Sequence, residues 1–190
     1  YDGTALTNDE VTVSGDGFAE GEGATYTVTG SQTLVGSSEN TFEYTLNEGT
    51  KAGNYEITKT EGTLTVTDRE EAYEITVVAK SGTAKYDGEE KSVSGFETLE
   101  FVVNGQTYTV GGLTASATGT DAGEYDAEVT GTAIVKDAAG NDVTKQFTVN
   151  TQAGTLTIEK RAVTLTSADA SKEYDGTALT NDEVTVSGDG

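Results

Sequence analysis

Apolar and polar residues alternate along most of the chain. The clearest runs are Ala24-Thr25-Tyr26-Thr27-Val28-Thr29, Thr41-Phe42-Glu43-Tyr44-Thr45-Leu46 and Gly62-Thr63-Leu64-Thr65-Val66-Thr67. Others are Tyr73-Glu74-Ile75-Thr76-Val77, Gln106-Thr107-Tyr108-Thr109-Val110 and Gly154-Thr155-Leu156-Thr157-Ile158. A period of two, rich in Thr, Val, Ile and aromatic residues, predicts strands that bury one face. Clusters of Gly, Asp, Asn and Ser between the runs predict turns. Helical periodicity is nearly absent. Its best window, Lys136 to Gln146, is interrupted by Gly140, Asn141 and Asp142, so at most one helical turn is expected there. A β-grasp needs an amphipathic helix across its sheet. The pattern therefore predicts an all-β chain of small β-sandwich domains, Ig-like or β-grasp-like, with the missing helix favouring the Ig-like form.

A duplication organises these elements. Tyr1–Gly17 recurs letter for letter as 174–190, and a shorter echo, Tyr86-Asp87-Gly88, lies between the copies. The tyrosines stand 85 and 88 residues apart (1 to 86, 86 to 174), which predicts tandem repeats of about 80–95 residues. The repeats also match internally. Tyr55 stands nine residues before Leu64, and Phe147 nine before Leu156, each pair predicting a closing hairpin. Thr29-Gly30 and Thr118-Gly119 hold matching places upstream. After each final strand comes a short charged step, Asp68-Arg69-Glu70-Glu71 or Glu159-Lys160-Arg161, and then a new strand leading to the next Tyr-Asp-Gly.

That phasing places boundaries near 68 and 161. It predicts three parts: 1–67, a repeat lacking its first strand; 68–160, a complete repeat; and 161–190, the first strand and Tyr-Asp-Gly turn of the next. The segment near Ala162–Glu173 is expected to pair with a 1–67 unit of a neighbouring copy, or both ends to fray. The joints contain no Gly-Ser or Pro-rich stretch, so successive domains are expected end to end with limited freedom.

Charge narrows the partners. The formal net charge is −22, from 33 acidic and 11 basic residues. Nucleic acid and anionic membrane surfaces both require clustered Lys and Arg, which are absent. There is no apolar run of membrane-spanning length. The acidity solvates the surface, and like charge opposes misassembly between near-identical neighbours. The chain has no Cys, Met, Trp, His or Pro, which removes disulfides, thiolate chemistry and the residues most easily oxidised.

Several constellations carry candidate chemistry. Tyr-Asp-Gly reads as a turn: Asp-Gly supplies positive φ and a side-chain-to-backbone bond, and Tyr anchors the corner. Asp16, Glu20 and Glu22 crowd one Gly-rich loop, and Asp137, Asn141 and Asp142 another. Calcium takes oxygen-rich loops, but neither matches a calcium motif, and an acidic chain produces such clusters by composition. Lys85 and Lys172, at equivalent places, are the repeated candidates for a Lys–Asn cross-link, with a solvated lysine as the simpler reading. Without His and Cys the Ser-His and Cys-His nucleophile systems are unavailable, and no phosphate loop opens a helix. No catalytic, cofactor or metal residue is assigned, and no enzymatic activity is expected. The nine Tyr and five Phe lie mostly in alternating strands, where core packing accounts for them.

The stretches Lys85-Tyr86-Asp87-Gly88, Ser14 to Val28, Thr29 to Thr41, and Asn54-Tyr55-Glu56-Ile57 with Gly62 to Val66 resemble the YDG/MBG-type tandem repeats of large bacterial, especially Gram-positive, surface proteins. The likeness covers nearly the whole chain and is closest in 1–67. It implies an exported, cell-surface stalk or fibre of an adhesin, built from all-β modules and located outside the cell. The expected partners are neighbouring repeats of the same chain or of other copies, and a host surface ligand. Two alternatives stand beside the stalk: a weak multivalent binding module for host glycan or protein, and a filament subunit that assembles by strand donation.

Overall fold

A computed structural model describes residues 1–189 as an all-β protein. Its strands are β1 (Ala24–Val28), β2 (Gly36–Asn40), β3 (Phe42–Leu46), β4 (Gly62–Val66), β5 (Tyr73–Val78), β6 (Gly82–Lys85), β7 (Lys91–Ser94) and β8 (Glu100–Val103). They continue as β9 (Gln106–Gly119), β10 (Gly123–Ala127), β11 (Val129–Asp137), β12 (Phe147–Gln152), β13 (Gly154–Glu159), β14 (Val163–Ser167) and β15 (Val184–Gly188). Two 3₁₀ turns, Ala52–Asn54 and Thr144–Gln146, are the helical elements among the described residues. The second falls inside the window where a single turn was expected. None of the helices is long and apolar enough to cross a membrane.

The chain divides into two compact units. The first comprises Tyr1–Ile75, Glu100–Val110 and Ile134–Thr148, and the second Thr76–Leu99, Gly111–Ala133 and 149–189. In the first unit, β1 pairs antiparallel with β3, which sets Tyr26 opposite Tyr44 and Val28 opposite Phe42. β2 pairs antiparallel with β4, with Ser38 opposite Leu64 and the Ser37 and Thr65 hydroxyls 2.8 Å apart on one face. β8 and β9 form a hairpin around Asn104-Gly105, both at positive φ, the geometry a tight two-residue turn needs. Tyr108 and Phe147 pack edge to face at 4.7 Å, and Tyr73 lies 5.6 Å from the same phenyl ring. Tyr108 is buried and Phe147 nearly so, as their alternating sequence demands.

In the second unit β13 is central. It pairs antiparallel with β10 and parallel with β6. Leu156 and Ile158 of β13 join Ala117 and Ala127 in the core, with Val93 and Tyr125 packed against them. Small residues allow close approach here. A Cβ on Gly119 would overlap the Tyr125 ring. At the matching place in the first unit, a Cβ on Gly30 would overlap Asn40. The two glycines thus admit different neighbours, Asn40 at Gly30 and Tyr125 at Gly119. β14 and β15 form an antiparallel pair whose residues are all exposed.

One expectation about pairing is corrected. The Tyr55 and Phe147 segments do not form closing hairpins with the strands that follow them. Residues 55–58 are not strand, and β12 pairs with β5 while β13 pairs with β10 and β6. Alternation specifies which face is buried but not which edge meets which, and here the partners lie far apart in sequence. The strand expected over Tyr73–Lys80 is β5, and a further strand, β6, precedes Tyr86. They are separated at Ala79–Ser81 and belong to different sheets.

Candidate functional site

The three Tyr-Asp-Gly copies adopt one turn. Asp2 Oδ1 accepts from the Thr4 amide at 2.8 Å and the Thr4 hydroxyl at 2.6 Å. Asp175 Oδ1 accepts from Thr177 in the same two ways, at 2.9 and 2.8 Å. Asp87 Oδ1 accepts from the Glu89 amide at 3.0 Å. The following glycines, Gly3, Gly88 and Gly176, have φ of 81°, 86° and 77°. The carboxylates serve the turn, and their acidity shows it. The Thr4 hydroxyl and amide lower Asp2. The Lys91 ammonium, then the Glu89 amide, lower Asp87. Lys172, then the Thr177 amide and hydroxyl, bring Asp175 down to about 2.

The tyrosine backbones close a second contact. The Tyr1 amine donates to Thr67 O at 2.9 Å, and the Tyr86 amide donates to Glu159 O at 2.9 Å. Thr67 and Glu159 each stand two residues before an arginine, Arg69 and Arg161. Arg69 Nη1 donates to Tyr1 O at 3.1 Å, and Arg161 Nη1 donates to Tyr86 O at 3.3 Å. A guanidinium presents several fixed donors, so one arginine can hold the tyrosine carbonyl and the emerging chain together. Arg69 also donates to Glu71 O and the Tyr73 hydroxyl, and its guanidinium lies 3.8 Å from the Tyr73 ring. Arg161 Nη2 donates to Asp189 O at 2.7 Å, while Asp189 Oδ2 accepts from the Ala162 amide and pairs with Lys85.

Gln146 completes the network around Arg69, and its role carries no sequence signal. It is 4% exposed, the buried polar residue of the core. Its Oε1 accepts from the Arg69 amide at 3.0 Å and its Nε2 donates to Asp68 Oδ1 at 2.6 Å. A buried carboxamide satisfied on both sides by the Arg69 amide and Asp68 holds that segment in one conformation. The Tyr1 ring reaches the same region. Its hydroxyl is 3.5 Å from that of Tyr108, and partial burial followed by this contact raises the Tyr1 phenol well above the ordinary range.

The other sequence candidates fall into ordinary roles. Asp137 closes its own loop by accepting from the Ala139 and Asn141 amides and the Asn141 side chain. Asp142 accepts from Thr144 at the start of a 3₁₀ turn. Asp16 and Glu20 are exposed, and Glu22 accepts from the Tyr55 hydroxyl. Among the described residues no three acidic side chains converge as a metal would require. Lys85 pairs with Asp189 at 2.9 Å, and Lys172 with Asp175 at 2.8 Å, both at the surface.

One groove stands out, of about 580 Å³, in the first unit. Val11–Phe18 form one wall and residues 54–59 another, with Ala24, Tyr26, Phe42 and Tyr44 of β1 and β3 on its floor. Lys59 lies 5.0 Å from the Phe42 ring and pairs with Glu61 at 3.0 Å and Glu43 at 3.5 Å. The Glu61 bond raises Lys59 and lowers Glu61 in turn. Phe18 and Tyr55 meet edge to face at 5.1 Å. No known protein family, curated protein or solved structure matches the chain.

Proposed function

We propose that this chain is a spacer: tandem small β-sandwich repeats, set end to end, that form the stalk or fibre of an exported bacterial surface adhesin and carry distal domains away from the cell. The observation behind this reading is the repeated joint. Two arginines at equivalent places, Arg69 and Arg161, each bind the carbonyl of a Tyr-Asp-Gly tyrosine, and each such tyrosine donates to the end of a final strand. The Tyr-Asp-Gly residues common to the three copies are spent on a turn, and the tyrosines of the first two also on backbone contacts. A binding repeat would instead keep an exposed side-chain constellation in every copy. The reading assigns no catalysis to the chain, and the YDG/MBG-type resemblance supplies the extracellular setting.

The joint can be tested directly because the chain has no cysteine, so introduced ones label cleanly. Nitroxides at Glu48→Cys and Val102→Cys lie within the first unit on either side of Arg69. Pulsed electron resonance should give one narrow distance distribution, broadened in Arg69→Ala and again in Gln146→Ala. A broad distribution in the parent chain would remove the stiff-joint basis of the spacer.

A further inference from the structure

We propose that the second unit contains a mechanical clamp: the parallel contact between residues 79–86 and residues 152–159, which resists tension applied along the chain. The proposal goes beyond the spacer reading, because holding a distance asks nothing of a domain's resistance to pulling. It stands whether or not the chain is exported.

β6 and β13 are far apart in sequence and adjacent in space. They pair in parallel, Gly82 opposite Leu156 and Lys85 opposite Glu159. The contact is longer than the two strands. Before them, the Ala79 amide donates to Gln152 O at 2.9 Å, and the Thr155 amide donates to the Ser81 hydroxyl at 3.1 Å. After them, the Tyr86 amide donates to Glu159 O at 2.9 Å, and Arg161 Nη1 donates to Tyr86 O at 3.3 Å. The two stretches therefore run side by side in the same direction, from Ala79 with Gln152 to Tyr86 with Glu159. All of these residues belong to the second unit. A glycine permits the close approach near the start of this ladder, since a Cβ on Gly154 would overlap the Lys80 carbonyl.

Parallel order decides how tension acts. The chain enters the ladder at its Ala79 end and leaves it at its Glu159 end, which is the opposite one. A pull on the preceding and following residues drives the two stretches past each other along their length. Sliding loads the evenly spaced bonds of a parallel pair together, so they must break together. In an antiparallel pair, entry and exit would share one end, and the same pull would open the bonds one at a time. β7 to β11 lie wholly inside the loop that the ladder closes. Tension bypasses that part of the chain until the ladder yields.

Burial strengthens the ladder against water. Leu156 and Ile158 of β13 are each 2% exposed and pack with Ala117 and Ala127, and Ala79 at the other end is 1% exposed. Val93 packs on the same cluster, and a Cβ at Gly82 of β6 would sit 3.6 Å from it. Hydrogen bonds on a sheltered face must be broken before water can replace them, and an unmade buried bond is costly. That cost falls on the barrier to unfolding, which governs forced rupture.

Two-point pulling on the whole chain in an optical trap tests the direction of this resistance. The sequence has no cysteine, so handles attach only where one is introduced. Glu70→Cys with Lys160→Cys loads the ladder in shear. Glu90→Cys with Lys160→Cys loads the same bonds from one end; all three positions are exposed. At one loading rate, the shear pair should rupture at a force at least about twofold above that of the peeling pair. The rupture should be a single step that lengthens the tether by the residues between the handles, at about 3.6 Å each, less their folded separation. The peeling pair should yield at low force, from the Tyr86–Glu159 end. Equal rupture forces in the two directions overturn the proposal. So does a shear pair that lengthens in several small steps at low force, which would mean that the ladder bears no more load than its separate bonds.

Discussion

Asp2, Asp87 and Asp175 turn one dipeptide into a repeated corner, and each does so as a carboxylate. Protonation removes the charge that holds the Thr or Glu amide and, at Asp87 and Asp175, the lysine. The sign follows from the shift. These groups are more acidic folded than unfolded, so their contribution is fully present above the ordinary 3.8 and is lost as pH falls toward the folded value, about 2 for Asp175. Mild acid has the opposite effect first. It neutralises part of a −22 surface and relieves self-repulsion. Thermal melting should therefore rise from pH 7 to about 4.5 and fall below about 3.5. Asp87→Asn should flatten part of the acid limb without moving the rise. An acid limb that is unchanged in Asp87→Asn and in Asp175→Asn would show that the turns do not depend on their charge.

Strands were legible because their residues alternate, and β1, β3, β4, β5 and β13 fall on the runs that alternate most clearly. Their partners were not legible. Tyr55-Glu56-Ile57 alternates like a strand but lies along the groove as coil. The end of β5 near Lys80 was legible, but β6 was not, because Gly82-Thr83-Ala84-Lys85 carries no strong alternation. At the joints, Arg69 and Arg161 read as a charged step; that each reaches a tyrosine carbonyl depends on chain reversal, not on composition. Gln146 read only as the end of a stretch that could hold one helical turn. The equivalent leucines of β4 and β13 measure how far each layer is filled. Leu156 sits in a closed cluster, whereas Leu64 has half-buried neighbours. Leu156→Ala should cost about 3–5 kcal/mol and Leu64→Ala about 2 or less, because an incomplete core relaxes around the loss. Denaturant midpoints check this. Equal costs would mean that the 1–67 layer is packed as fully as the next.

For the whole molecule the account reduces to addition. If each repeat contributes length through a held joint, reach should grow by a constant step with repeat number, and nothing else about the solution behaviour should depend on it. Small-angle X-ray scattering on the parent chain and on chains carrying one and two further copies of residues 68–160 measures that step. The account predicts equal increments in maximum dimension for each added copy. Increments that shrink as copies are added, as repeats collapsing into one globule would give, would contradict it.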